Sequence, residues 1–159
     1  DFPVPILIVQ HIARGFGQGL VEWLRGATEL QVQTARPGDL LRPGQVLVSP
    51  DDCHMRVGPN GRIVLQPREN DREICPSADH LFGSVAQVLG RRSLGVILTG
   101  MGRDGVEGLK RIKAAGGQVV AQDEQSCIIF GMPREAIAAG VVDRVVPLER
   151  VSEAISAML

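Results

Sequence analysis

The residues best suited to chemistry are a histidine and an aspartate, each placed between an apolar strand-like run and a helical pattern. Asp104 lies in Gly100-Met-Gly-Arg-Asp-Gly105, after the β-branched stretch 96–99 and before Val106, Leu109 and Ile112 at helical spacing. His11 follows the apolar run 4–9 and precedes Phe16, Leu20, Trp23 and Leu24, again at helical spacing. In open α/β sheets such junctions lie at the carboxyl ends of strands, where loops share a crevice and helix N-termini present unpaired N–H groups. An imidazole there suits acid/base work near neutral pH. A carboxylate there is favoured by the positive end of the helix dipole and suits orienting or stabilising a cation. Together they form the orienting half of a nucleophile, base and acid arrangement. His11 would take the nucleophile's proton, Asp104 would fix its tautomer, and the backbone N–H of Met101 would face a developing oxyanion. A serine or cysteine nucleophile is still required. Plainer uses exist for both residues: Asp104 as the cap of its own helix, and His11 as a solvated or hydrogen-bonded loop residue.

A second reading competes. Gly100, Gly102 and Gly105 match G-x-G-x-x-G between a strand and a helix, and the following strand ends near Asp123, close to the spacing of a ribose-binding acid. A dinucleotide-binding domain fits that pattern, but Asp104 would place a negative charge where the pyrophosphate must lie. A third reading is a non-catalytic regulatory module, with an intact fold and His11 facing solvent.

The elements that must position these residues follow from the chain as a whole. Its 159 residues give room for one α/β domain with a proper core, and a net charge of −1 with mixed signs points to neither nucleic acid nor a membrane surface. Cys53, Cys75 and Cys127 are odd in number and far apart, which indicates neither a disulfide framework nor a zinc site and reads as buried thiols in a reducing compartment. No apolar run approaches the ~20 residues that span a bilayer. The opening Asp1-Phe-Pro-Val-Pro has no initiator Met and no basic leader. The expectation is a single domain over 1–159 cut from a longer polypeptide and incomplete at its N-terminus.

Run 4–9 reads as a central parallel strand covered on both faces, and Leu30-Gln-Val-Gln-Thr34 as a half-exposed one. Asn60-Gly61 between two apolar runs signals a hairpin, so residues 46–66 read as a small antiparallel excursion. His54 beside Cys53 reads as structural, because neighbours on a strand point to opposite faces. Ser77 after Pro76 reads as the N-cap of a helix that Gly90 ends. Residues 118–121 form the next strand, with 122–127 as polar loop. Met132-Pro133 opens a helix, 142–146 is a short last strand, and Val151, Ala154, Ile155 and Met158 line a final helix. The alternation predicts a doubly wound, mostly parallel, three-layer Rossmann-like α/β fold.

Val9-Gln-His11 with Phe16, Leu41-Arg-Pro-Gly44, Pro76-Ser77-x-Asp79-x-Leu-Phe82, Leu98-Thr-Gly-Met-Gly-Arg-Asp-Gly105, Ala121-Gln-Asp-Glu124 and Phe130-Gly-Met-Pro133 fall in order along the chain. Together they resemble the catalytic domain of the chemotaxis-type protein-glutamate methylesterases, essentially end to end. The resemblance implies a cytoplasmic hydrolase of γ-glutamyl methyl esters on the cytoplasmic helices of chemoreceptors, often also a glutamine deamidase, with no cofactor, metal, nucleic acid or membrane insertion. It implies that His11 and Asp104 are triad base and acid, that the Met101 amide serves the oxyanion, and that a phosphorylatable receiver domain belongs to the parent chain. Family members carry the nucleophilic serine in a Ser-Thr-Gly-Gly turn, a motif these residues lack; its expected place is upstream of Asp1. Ser49, Ser77, Ser126 and Thr99 are poorly suited to replace it.

Overall fold

Short β-branched runs make the strands and amphipathic stretches make the helices, an alternation that yields two parallel three-stranded sheets and one antiparallel pair. The computed structural model describes residues 2–159. The chain divides into two compact units, Asp1–Ser77 and Ala78–Leu159. Among the described residues no helix is long and apolar enough to cross a membrane.

The first unit holds β1 (Ile6–Ile8), α1 (Gly17–Ala27), β2 (Gln31–Thr34), β3 (Gln45–Val48), β4 (Cys53–Val57) and β5 (Ile63–Pro67). Its parallel sheet has the order β1-β3-β2, with Leu7 opposite Leu47 and Val32 opposite Val46. Val21, Val32, Val46 and Val48 form its core, with Ile6, Ile8, Leu20, Leu24 and Leu30 packed around them. Two expectations shift here. β1 is half-buried and has β3 as its neighbour among the described residues, where its apolar run reads as a central strand covered on both faces. Residues 46–48 belong to the parallel sheet, so the antiparallel pair is β4 with β5 alone, closed by a loop in which Asn60 and Gly61 take positive φ (61° and 68°).

Helix α1 turns Leu20, Val21 and Leu24 to the sheet, while Phe16 (67% exposed) and Trp23 (68%) face outward. Residues 16, 20, 23 and 24 lie on one stripe and 20, 21 and 24 on an overlapping one, and the β-branched Val21 packs on the sheet. His54 is fully buried on β4, and its Nε2 lies 3.0 Å from Glu73 Oε1.

The second unit holds α2 (Ala78–Leu89), β6 (Leu94–Ile97), α3 (Val106–Ala114), β7 (Gln118–Gln122), α4 (Met132–Ala138), β8 (Arg144–Val146) and α5 (Val151–Ser156), with a parallel sheet ordered β6-β7-β8. Val119, Val120 and Ala121 of the middle strand are completely buried, as expected where helices cover both faces. Ile97, Val106, Leu109, Ile112 and Ala136 pack with Val119 and Ala121 in one cluster, so the helical spacing after the glycine turn does mark a core face. The three thiols are free and half-buried rather than fully buried.

Asp143 ties the start of β7 to α3. Its Oδ2 accepts from Val119 N at 2.7 Å and its Oδ1 from Lys113 Nζ at 2.6 Å. Partial burial works against its charge, but these two donors outweigh it and hold the carboxyl below its usual range. The stabilisation is therefore present above the unfolded-state pKa and disappears as pH falls through the lowered folded value. Asp143→Ala is expected to cost about 1–2 kcal/mol at pH 7. In urea titrations the gap between the two proteins should narrow as pH falls through the ordinary carboxylate range and close below it.

Candidate active site

Strand β6 runs into the glycine turn that the sequence singles out, and main-chain hydrogen bonds fix that turn from one side. Gly100 N donates to Ile129 O at 3.0 Å, and Gly100 O accepts from Gly131 N (3.1 Å) and Met132 N (2.8 Å) at the opening of α4. The approach is close enough to demand glycine: a Cβ on Gly131 would lie 2.5 Å from Gly100 O and 3.1 Å from Gly102 N. Met101 projects from this turn at 81% exposure, and its N–H meets no acceptor among the described residues. A backbone amide with no protein acceptor, at a strand's carboxyl end, meets one requirement of an oxyanion donor.

Asp104 closes the same turn and is 8% exposed. It does not cap its own helix. The N-cap of α3 is Gly105, whose φ of 98° excludes most side chains, so the cap residue itself supplies no side-chain bond. The Asp104 carboxylate instead reaches α2, where Oδ2 accepts from Ala78 N at 2.6 Å and Oδ1 from Asp79 N at 3.1 Å. The first two amides of α2 thus bond this distant acid, and Ser77, read from the sequence as the cap, is buried at the position just before the helix. Asp79 returns the exchange, its Oδ1 accepting from Gly108 N in the first turn of α3 at 2.7 Å. Burial raises the Asp79 pKa, the Gly108 and Gly105 amides oppose the rise, and the nearby Asp104 charge adds to it.

This pairing weakens the dinucleotide reading. The Gly108 amide that a pyrophosphate would use is already bonded to a carboxylate, and two acidic groups stand at that helix end.

A third layer lies beneath the turn and is not evident from the sequence. Gln122 is the last residue of β7, not loop, and is completely buried. Its Oε1 accepts from Thr99 N at 2.8 Å, while its Nε2 donates to Ser126 O (2.9 Å) and Ser126 Oγ (3.2 Å). The Thr99 hydroxyl clasps Ile129, donating to its O at 3.1 Å and accepting from its N at 2.9 Å. A glutamine closing an otherwise apolar strand was the available signal: a buried amide needs several partners.

The third predicted residue, His11, belongs to the other unit. It is exposed, in the loop between β1 and α1, as its position after an apolar run predicts. That loop is anchored by two acids: Gly15 N donates to Asp51 Oδ2 at 2.8 Å, and Arg14 Nε to Asp52 Oδ1 at 2.7 Å. Asp52 also receives Arg68 Nη1 at 3.1 Å. The structure therefore gathers Met101 and Asp104 into one turn and sets His11 on a separately braced loop. Of the hydroxyls weighed as nucleophiles, Ser126 Oγ donates to Asp123 Oδ1 at 2.6 Å and Ser49 Oγ to Cys53 O at 3.2 Å. Neither is arranged against an imidazole by these bonds.

The description "CheB methylesterase" belongs to the family model that matches residues 1–155. The chain belongs to the CheB methylesterase family. It is 47% identical over 158 residues to the protein-glutamate methylesterase/protein-glutamine glutaminase of group 3 operon from Rhizobium meliloti (strain 1021), covering 99% of this chain and 45% of that protein. It is 46% identical over 154 residues to the protein-glutamate methylesterase FrzG of Myxococcus xanthus, covering 97% of this chain and 46% of that protein. The chain thus spans less than half the length of these curated relatives. The crystal structure of the Thermotoga maritima CheB methylesterase catalytic domain superposes with a TM-score of 0.94 at 34% identity, over 99% of this chain and 85% of that one. This CheB-family fold is mixed α/β, with mostly parallel sheets and one antiparallel pair.

Asp104→Ala would leave the Ala78 and Asp79 amides without their acceptor at the start of α2. The expected cost is about 2 kcal/mol in thermal unfolding, with Asp104→Asn losing less because an amide oxygen can still accept. Equal stability of all three proteins would refute the capping role.

Proposed function

We propose that the chain forms one catalytic domain of a protein-glutamate methylesterase, using His11 as base, Asp104 as acid and the Met101 amide as oxyanion donor. The turn at 99–105 carries this reading: it holds, among the described residues, a Met101 N–H with no protein acceptor and, three residues on, a carboxylate whose orientation two helix amides fix. A carboxylate oxygen can accept more than one hydrogen bond, so capping α2 does not by itself bar Asp104 from orienting His11.

The substrate is a glutamate γ-methyl ester on chemoreceptor cytoplasmic helices, and a glutamine amide is the second substrate. His11 removes the proton of a serine hydroxyl as the oxygen attacks the γ-carbonyl. Met101 N–H stabilises the tetrahedral oxyanion, and His11 returns the proton to departing methanol or ammonia. Water, activated by the same imidazole, then hydrolyses the acyl-enzyme. Asp104 holds the imidazole in the correct tautomer throughout. The nucleophile is a serine of the Ser-Thr-Gly-Gly type supplied from outside these 159 residues. A receiver domain accompanies it in the parent protein, which works in the cytoplasm without a metal or cofactor.

Methanol release from a methyl-esterified receptor tests this. In a polypeptide carrying this chain together with such a serine, His11→Ala and Asp104→Asn are each expected to lower kcat by about 10³–10⁴. The 159-residue chain alone should release no more methanol than its His11→Ala variant. Clear His11-dependent turnover by the chain alone would place the nucleophile within it.

A further inference from the structure

The proposed chemistry depends on where the Met101 amide points, and nothing in Met101 itself fixes that. Met101 is exposed, and its N–H has no acceptor among the described residues. Its direction follows from the peptide groups on either side of Gly100. We infer that Thr99 and Gln122 are positioning residues for the oxyanion donor, together forming a two-sided clasp on the segment that leads into the turn.

Three observations support this. The Thr99 side chain makes a reciprocal pair of hydrogen bonds with one residue's backbone, at 3.1 Å to Ile129 O and 2.9 Å from Ile129 N. Ile129 O also receives Gly100 N at 3.0 Å, so one carbonyl takes both the hydroxyl and the next amide and fixes the start of the turn. From the core side, the buried Gln122 carboxamide accepts Thr99 N at 2.8 Å and is itself held by two contacts from its Nε2 to Ser126. Ser126 is tied in turn: its N and Oγ donate to Asp123 Oδ1 at 2.9 and 2.6 Å, and its Oγ accepts from Leu148 N at 2.9 Å. A buried amide whose hydrogen-bonding groups are engaged has one stable orientation, and it transmits that orientation to Thr99.

Thr99 therefore has a use other than as a nucleophile. Its hydroxyl holds the loop and is not placed to attack. The role inferred for the two side chains is positional. They act through the peptide between Thr99 and Met101, where a displacement of about 1 Å is enough to lower a rate substantially. Because an oxyanion contact tightens in the transition state, loosening the clasp should appear in kcat rather than KM.

This inference rests on the methylesterase reading above, and the experiment separates the two. The protein is the catalytically competent polypeptide that contains this chain, and the probe is a methyl-esterified receptor. Thr99→Val removes the hydroxyl from an exposed position, Thr99→Ser keeps it, and Gln122→Met keeps the size of the amide without its polar atoms. The expectation is that Thr99→Val and Gln122→Met lower kcat at least tenfold with KM within twofold, while Thr99→Ser stays within threefold of the parent. A Thr99→Val protein with unchanged kcat, or one whose loss lies wholly in KM, would overturn the clasp. Should Gln122→Met not fold, the contrast of Val and Ser at position 99 decides alone. His11→Ala serves as the separate control: full turnover in that variant would sink the methylesterase reading itself, whatever position 99 shows.

Discussion

The second unit depends on a reciprocal exchange of acids between two helices. Asp104, at the end of one glycine turn, caps the start of α2, and Asp79, in the first turn of α2, accepts from α3. Each helix start is satisfied by a carboxylate from the other, so neither start can shift without breaking the other's bonds. A lone N-cap would stabilise one helix; the exchange also sets the separation and register of the pair. The cost falls on Asp79, whose pKa is raised by burial first and by the nearby Asp104 charge in addition, against the amides bonded to it.

This dual use clarifies why the role of Asp104 is hard to read from its neighbours in sequence. An aspartate just before a helix most simply caps that helix. The positive φ at Gly105 moves the cap position past Asp104 and frees its carboxylate to point elsewhere. The partners it finds are 26 and 25 residues away, a separation that local pattern cannot reveal. The strand, turn and helix around it were legible, because β-branched residues, paired glycines and helical spacing each act over a few residues.

The same division holds elsewhere. The hairpin loop, the end of α2 at Gly90, the proline-led α4 and the core face of α3 all follow from short-range chemistry, and the structure has them. What required tertiary information was which of two overlapping apolar stripes α1 buries, whether an apolar run lies in the middle or at the edge of a sheet, and that residues 46–48 pair in parallel. Gln122 is the clearest case. Its polar type at a strand end reads as loop, yet burial by surrounding layers turns it into an organising amide. For the site, Met101 and Asp104 fell in one turn as their spacing implies, while the bonds that hold that turn come from residues far along the chain.

The bonds that grip Gly100 are made almost wholly by main-chain atoms of Ile129, Gly131 and Met132. The side chains of Met101, Ile128 and Ile129, by contrast, all face solvent. Geometry and surface are therefore set by different atoms of the same two loops. Exchanging those outward side chains would therefore alter the surface above the turn while leaving the main-chain frame beneath it in place.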